Sequence, residues 1–227
     1  MTKTLRQKAV VIVAGGSGKR MGGDVPKQFL QLSGKPVLMH TMHRFFSFDP
    51  RIYIVLVLPF EHIETWNLLC SQHRFLIPHQ VVAGGAERYD SVKNGLEKID
   101  DAWLVAIHDG VRPLVSNATI SKSFELAAES GNAIPAVPVN ESLREVVEGQ
   151  NRPVDRRNFY LIQTPQTFKG DLIKKAYQKP YNPLFTDDAS VFEAAGNEVH
   201  LFEGNIENIK ITTSSDLKIA EALLEKV

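Results

Sequence analysis

Side chains able to hold a polyphosphate crowd the start of this sequence. Ala14 to Lys27 reads AGGSGKRMGGDVPK and directly follows the apolar run Lys8–Val13. So short a β-branched run, ended by paired glycines, predicts a buried parallel strand. It opens into a loop with little side chain, where ligand atoms can approach the backbone. Lys19, Arg20 and Lys27 add fixed positive charge to the loop's N–H groups, the combination a polyphosphate requires. Two familiar phosphate loops do not fit. The Walker pattern meets Val13 where a glycine belongs and Arg20 where a hydroxyl belongs. The dinucleotide pattern accepts Gly16, Ser17 and Gly18 but meets Met21 at its third small position, and the next strand ends in Leu58-Pro59 without a ribose-binding acid. The loop therefore predicts phosphate binding of another kind.

The other candidates are of the same chemical type: Arg88, Arg112, Arg156 or Arg157, and Lys210, with Ser91, Thr164 and Thr186 as hydroxyl donors. There is no nucleophile elbow, no Cys/His pair and no cluster with zinc spacing. Donors and positive charge without an obvious base fit transfer at phosphorus, where catalysis is mostly positioning and neutralisation of developing charge. A phosphomonoester acceptor, with a second pKa of about 6, is already a nucleophilic dianion at neutral pH and needs no general base. Asp109 is the acid best placed to meet a phosphate-bound Mg²⁺, because it ends a buried strand facing the glycine loop. Plainer readings stand beside these. An arginine at a strand end often makes only a surface ion pair. Asp187 and Asp188 read as a charge pair at a helix N-terminus with Thr186 as its cap. Lys210, between Ile209 and Ile211, has the alternation of any exposed strand position.

These residues must be positioned by an α/β framework. Strands are expected at Lys8–Val13, Arg51–Leu58, Gln80–Ala83 and Trp103–Ile107. Between them lie helices over Pro36–Phe46, Pro59 to about Gln72, and Glu87–Ile99. In such sheets the loops after the strands' carboxyl ends build the ligand site, so Gly15–Lys27, Gly84–Ser91 and Asp109–Arg112 should meet on one edge. A helix capped by Ser116 or Asn117 runs to Ser130 with Gly131 beyond it. Ala133–Val139 reads as an edge or interrupted strand because of Pro135 and Pro138. Glu141–Val147 and Arg152–Ile162 flank a turn and form a polar hairpin with too little apolar face for its own core, the kind of arm that packs on a partner. The core resumes with Thr164–Phe168, a helix over Lys169–Gln178 and a helix from Thr186-Asp187-Asp188 through Ala195. Late strands at Val199–Phe202 and Ile209–Ile211 precede a closing helix from Ser214 or Ser215. His40 and His43, three apart without a third ligand, read as ordinary boundary histidines.

Bulk composition narrows the class. The chain has 227 residues, 43% hydrophobic, enough for one α/β domain with a real core. Lys and Arg total 26, as do Asp and Glu, so no general basic field exists to hold nucleic acid or an anionic membrane, and any anion site is local. A single cysteine, Cys70, beside Trp66, Leu68 and Leu69, suits a reducing compartment and a buried filler role. With no bilayer-length apolar run, a cytoplasmic protein is expected.

Taken together, AGGSGKRM, PKQF, ERYDSVKNGL, HDGVRP, VDRRN, TPQTF, TDDAS and NIKIT resemble, through essentially the whole chain, the cytidylyltransferases that join CTP to a sugar-alcohol phosphate. The resemblance is strongest to the family of the non-mevalonate isoprenoid pathway, whose acceptor is 2-C-methyl-D-erythritol 4-phosphate. It implies one Rossmann-like nucleotidyltransferase domain over 1–227, with a mostly parallel twisted sheet flanked by helices and a β-arm at about 139–160 that crosses to the partner of a homodimer. By position, Arg20 and Lys27 would stabilise charge on the CTP α-phosphate, and Arg156 and Lys210 would orient the acceptor. Ala14, Gly15, Gly16, Ser17 and Gly18 would cradle the triphosphate. Gly85 and Ser91 would recognise cytidine, with Arg88 and Asp109 beside the nucleotide. Asp109, Arg112, Ser142, Thr164 and Thr186 would form the acceptor pocket, and Mg²⁺ or another divalent cation would assist. Ala86 stands where an acid is common, Gly15 where alanine is usual and Ser142 where threonine is usual. Enzymes using ribitol 5-phosphate are the rival family; SVKNGL and TDDAS favour methylerythritol phosphate.

Overall fold

The computed structural model describes residues 7–15 and 25–224. In chain order the strands and helices are β1 Lys8–Val13, β2 Gln31–Leu32, β3 Lys35–Pro36, α1 Val37–Phe48, β4 Tyr53–Leu58, α2 Ile63–Gln72, β5 Gln80–Ala83, α3 Arg88–Leu96, β6 Leu104–Asp109 and α4 Asn117–Ser130. They continue with β7 Asn132–Pro138, β8 Leu143–Val147, β9 Gln150–Val154, β10 Tyr160–Ile162, β11 Gln166–Lys169, α5 Gly170–Ala176, α6 Asp188–Ala194, β12 Leu201–Glu203 and α7 Ser214–Leu224. The order across the central sheet is β10-β7-β11-β6-β1-β4-β5, with β12 also on β7. The pairs β6–β1, β1–β4 and β4–β5 are parallel, and β11 runs antiparallel to β6. This is the expected mostly parallel α/β sheet, closed by an antiparallel flank.

Alternation along the strands divides the core into two layers. Val10, Ile12 and Leu56 pack with Leu38, Met42, Phe45 and Phe124, under α1 and α4. Val11, Val13, Val57 and Ile107 pack with Val92, Leu96, Phe168 and Phe192, under α3 and α6. Ser116 caps α4 by accepting from Thr119 N–H, and Gly131 ends it in the left-handed region at φ 92°, as its sequence promised. Burial pushes the Cys70 thiol up to about 11, which suits a packing role. Among the described residues, no helix is long and apolar enough to cross a membrane.

Three expectations about the chain's second half are corrected. β7 is not an edge strand, since it is flanked by β12 on one side and by β10 and β11 on the other. β10 and β11 line β7 in two registers, Ile162↔Ala136 and Thr167↔Ala133, with extra residues at Thr164-Pro165 between them. Pro135 accepts from Gln163 N–H at 2.8 Å and owes no donor where its neighbour bulges away, so the interior position tolerates it. Second, Phe159–Ile162 is not all arm: β10 joins the central sheet, and the free hairpin is only β8–β9. Its two-residue turn places Glu148 and Gly149 at φ 49° and 80°, a pattern that matches the strand twist. Third, Ile209–Ile211 forms no strand. Ile211 N–H donates to Val111 O beyond the end of β6, where no strand remains to pair with.

Candidate active site

The carboxyl ends of β1, β4, β5 and β6 open a cleft lined by Ala14, Gly15, Lys27, Gly84, Gly85, Ser91, Asp109 and Lys210. Strand pairing creates it: Ala14 N–H still reaches Val57 O and Gly110 N–H reaches Val13 O, and beyond those bonds the chains diverge. The floor near Ser91 is backbone. Gly85 N–H donates to Ser91 Oγ at 3.1 Å, and that hydroxyl donates to Glu87 O at 3.1 Å. A Cβ on Gly85 would lie 2.2 Å from Asp90 Cβ, so glycine is required for the loop to fold against the α3 capping box of Glu87 and Asp90. A bare main chain beside a buried hydroxyl suits the edge of a nucleobase.

A second cleft adjoins the first and shares Arg88, Asp109 and Lys210 with it. Arg112, Thr164 and Thr186 complete its wall. At the junction, Asp109 Oδ2 faces Lys210 Nζ at 3.0 Å and Arg112 Nε at 3.1 Å, while Oδ1 faces Arg88 Nε at 3.9 Å. Burial raises the Asp109 pKa, but Lys210, Arg88 and Arg112 outweigh it and hold the carboxyl well below its usual range. Asp109 is thus a fixed anion that spaces three cations, and a poor proton acceptor.

Three buried polar groups with no site role in the sequence reading, His108, Asn208 and Asp188, hold this cluster together with Thr164. His108 is fully buried against Phe45, with Nδ1 3.0 Å from Thr164 Oγ1 and Nε2 3.0 Å from Arg112 O. Burial lowers its pKa to about 4, against its bond to Arg112 O and the pull of Asp109, so the ring is neutral. Thr164 Oγ1 accepts from Asp109 N–H at 3.1 Å; the bulge between β10 and β11 aims this side chain at the site. Buried Asn208 donates to Thr164 O, and its own carbonyl accepts from Arg112 at 2.8 Å. Asp188 binds Arg88 through two bonds, 2.9 and 2.7 Å, and accepts from Tyr177 OH. The expected charge pair at the helix N-terminus is therefore corrected: Asp188 is wholly buried on Arg88, and Asp187 rather than Thr186 caps α6, in a capping box with Ser190. The Arg88 fork is consequently committed to Asp188, leaving its Nε side toward the junction.

Of the residues singled out by sequence, Ala14, Gly15, Lys27, Gly85, Arg88, Ser91, Asp109 and Lys210 come together at the first cleft, and Arg112, Thr164 and Thr186 at the second. Gly16, Ser17, Gly18 and Arg20 lie outside the described residues. Ser142 and Arg156 line neither cleft; both are exposed near the base of the hairpin, where Arg156 donates to Asn140 O. Arg157 is engaged by Asp155 through an exposed ion pair of 2.6 Å. Among the described residues, no three His, Cys, Asp or Glu side chains gather as a metal site. With three cations on Asp109, the side chains do not fit a resident metal.

The family model described as IspD: 2-C-methyl-D-erythritol 4-phosphate cytidylyltransferase matches residues 8–226. The chain is 51% identical over 218 residues to the 2-C-methyl-D-erythritol 4-phosphate cytidylyltransferase of Bacteroides thetaiotaomicron, covering 96% of this chain and 100% of that one. It is also 51% identical to the Porphyromonas gingivalis protein of the same name, over 96% and 98%. The crystal structure of 4-diphosphocytidyl-2C-methyl-D-erythritol synthase from Anaerococcus prevotii superposes with a TM-score of 0.82 at 25% identity, over 97% and 96% of the two chains. The Thermus thermophilus cytidylyltransferase gives 0.76 at 32% identity, over 96% and 99%. Full-length identity of this order, on a fold whose two clefts meet at the residues the motifs supplied, settles the grouping: the chain belongs to the 2-C-methyl-D-erythritol 4-phosphate cytidylyltransferase family.

Proposed function

We propose that this protein transfers the cytidylyl group of CTP to 2-C-methyl-D-erythritol 4-phosphate, giving 4-diphosphocytidyl-2-C-methyl-D-erythritol and pyrophosphate, in isoprenoid precursor synthesis by the non-mevalonate route. The adjoining clefts carry the assignment. A nucleotide seated on Gly85 and Ser91 points its phosphates toward Lys27 and Lys210, and an acceptor phosphate in the second cleft reaches the same junction. An oxygen of the acceptor phosphate attacks the CTP α-phosphorus, the bond to the β-phosphate oxygen breaks, and pyrophosphate leaves. No general base is required, because the acceptor is a dianion, and Asp109 is too acidic to act as one.

In this reading Lys27 and Arg20 neutralise the α-phosphate as charge develops, with Ala14–Gly18 along the triphosphate, while Lys210, Arg112, Thr164 and Thr186 hold the acceptor. Mg²⁺ enters bound to CTP as part of the substrate. Ser142 and Arg156 serve the neighbouring subunit of a homodimer; their absence from the lining of this chain's own clefts and the uncovered Val146, Val147, Leu161 and Tyr160 around the arm support that arrangement. A cysteine content of one and a nucleotide substrate support a cytoplasmic location. Pyrophosphate release from CTP and Mg²⁺, with methylerythritol 4-phosphate and ribitol 5-phosphate compared side by side, tests the assignment. Release with the first is expected, and release with ribitol phosphate alone would overturn it.

A further inference from the structure

We propose that Asp188 is a positioning residue for the acceptor: its buried carboxylate holds Arg88 at the junction of the two clefts and so fixes the charge balance around Asp109 and the Lys210 ammonium. The inference rests on the acceptor-side role assigned above to Lys210.

Arg88 stands between two acids. Its terminal nitrogens are 2.9 and 2.7 Å from the two oxygens of Asp188, and its Nε is 3.9 Å from Asp109 Oδ1. Burial would lower the Arg88 pKa; Asp188 first and Asp109 second reverse this. Asp188 has no exposure and also accepts from Tyr177 OH at 2.6 Å. Tyr177 is itself stacked on Tyr89, the residue after Arg88, so the pair is braced on both elements. A bidentate, braced ion pair whose carboxylate is wholly buried costs desolvation and is seldom the cheapest way to stabilise a fold. Here it governs which acid claims the Arg88 charge.

In Asp188→Asn, the carboxylate left within 4 Å of Arg88 among the described residues is that of Asp109. A guanidinium that closes the 3.9 Å gap competes directly with Lys210 for that carboxylate. Asp188 also begins α6, whose preceding residues Thr186 and Asp187 wall the acceptor cleft; Gln166 ties that wall from the opposite side by donating to Asp187 Oδ2 and accepting from Ala189 N–H. The nucleotide cleft also meets Arg88, Asp109 and Lys210, but the rest of its wall is Gly84, Gly85, Ser91 and Lys27, none of which touches Asp188. Loss of the Asp188 charge should therefore weaken acceptor recognition far more than CTP recognition.

The test is steady-state pyrophosphate release by the full-length enzyme with CTP and methylerythritol 4-phosphate, comparing wild type, Asp188→Asn, Asp188→Glu and Tyr177→Phe. Asp188→Asn should raise the acceptor KM about tenfold while the CTP KM changes by less than about threefold, and Asp188→Glu should recover much of the loss. A merely structural role would lower the melting temperature and the active fraction and leave the acceptor KM where it was. Tyr177→Phe, which removes only the hydroxyl on Asp188, should give a selective acceptor effect of about two- to fourfold and keeps the test decisive if the Asn variant does not fold. An unchanged acceptor KM, or equal rises in both KM values, would overturn the proposal. Inactivity of the wild type with this acceptor would instead overturn the assigned reaction.

Discussion

The Lys210 ammonium lies 3.0 Å from Asp109 Oδ2, joining the last residue of β6 to an irregular segment beyond β12. Neither is a spare surface charge: the lysine reaches into the mouth of both clefts, and the carboxylate that holds it is buried. The pair holds a cation at the junction of the two clefts.

Lys210→Met is expected to lower turnover by roughly 10²-fold, the usual cost of losing one group that stabilises transition-state charge. Its side chain is 40% exposed and the buried Asp109 keeps Arg88 and Arg112 when the lysine is gone, so stability should change by no more than about 1 to 2 kcal/mol. Kinetics and a thermal melt on the same preparation check both. A rate within threefold of wild type would remove Lys210 from the mechanism.

Gly85→Ala should damage CTP recognition selectively. The new Cβ would stand 2.2 Å from Asp90 Cβ and push apart the capping box, in which Asp90 accepts from Glu87 N–H. A rise in CTP Kd of about tenfold is expected, with a stability loss of about 1 to 2 kcal/mol from the disturbed cap. Isothermal titration with CTP measures the first, and unaltered affinity would show that the Gly85 backbone is not a nucleotide contact.

His108 should make stability depend on pH in a defined window. Its pKa falls from 6.5 to about 4 on folding, so below pH 6.5 the unfolded chain takes up a proton that the native protein refuses. The contribution is complete above pH 6.5, declines as pH falls toward 4, and amounts to roughly 3 kcal/mol. Asp109, whose pKa is lowered, loses its own contribution only at more acidic pH. Melting curves from pH 7 to 4.5 should therefore fall more steeply for wild type than for His108→Gln; parallel curves would contradict the neutral buried ring.

Deleting Glu141–Asn158 is expected to give a folded, inactive monomer. Val139 N–H bonds Phe159 O, so the cut ends already face each other across the sheet, and β8 and β9 pair only with one another. Sizing chromatography with an activity assay checks this. An active monomer would show that Ser142 and Arg156 are not needed in a shared site.

The parallel half of the sheet was legible because its signals are local. Val10–Val13 and Ile54–Leu58 are continuous apolar runs that only a strand covered on both faces can bury, and Gly84-Gly85 and Gly110 mark where the chain leaves it. Pro135 misled about β7, because the penalty for a missing donor depends on what lies opposite, and opposite it lies a bulge. Asp188 misled for a similar reason: two acids before a helix look like a dipole pair until a distant arginine and tyrosine are folded onto one of them.

By itself the sequence determined the strand–loop–helix rhythm, the edge where the loops gather and the cationic chemistry suited to transfer at phosphorus, since residue type and short-range spacing encode each of these. Tertiary structure alone decided that Arg88, Arg112 and Lys210 converge on one carboxylate, that His108 and Thr164 fix that carboxylate from beneath, and that Asp188 claims the Arg88 fork. Electrostatic balance is a property of distances between residues remote in the chain, and only the folded packing sets those distances.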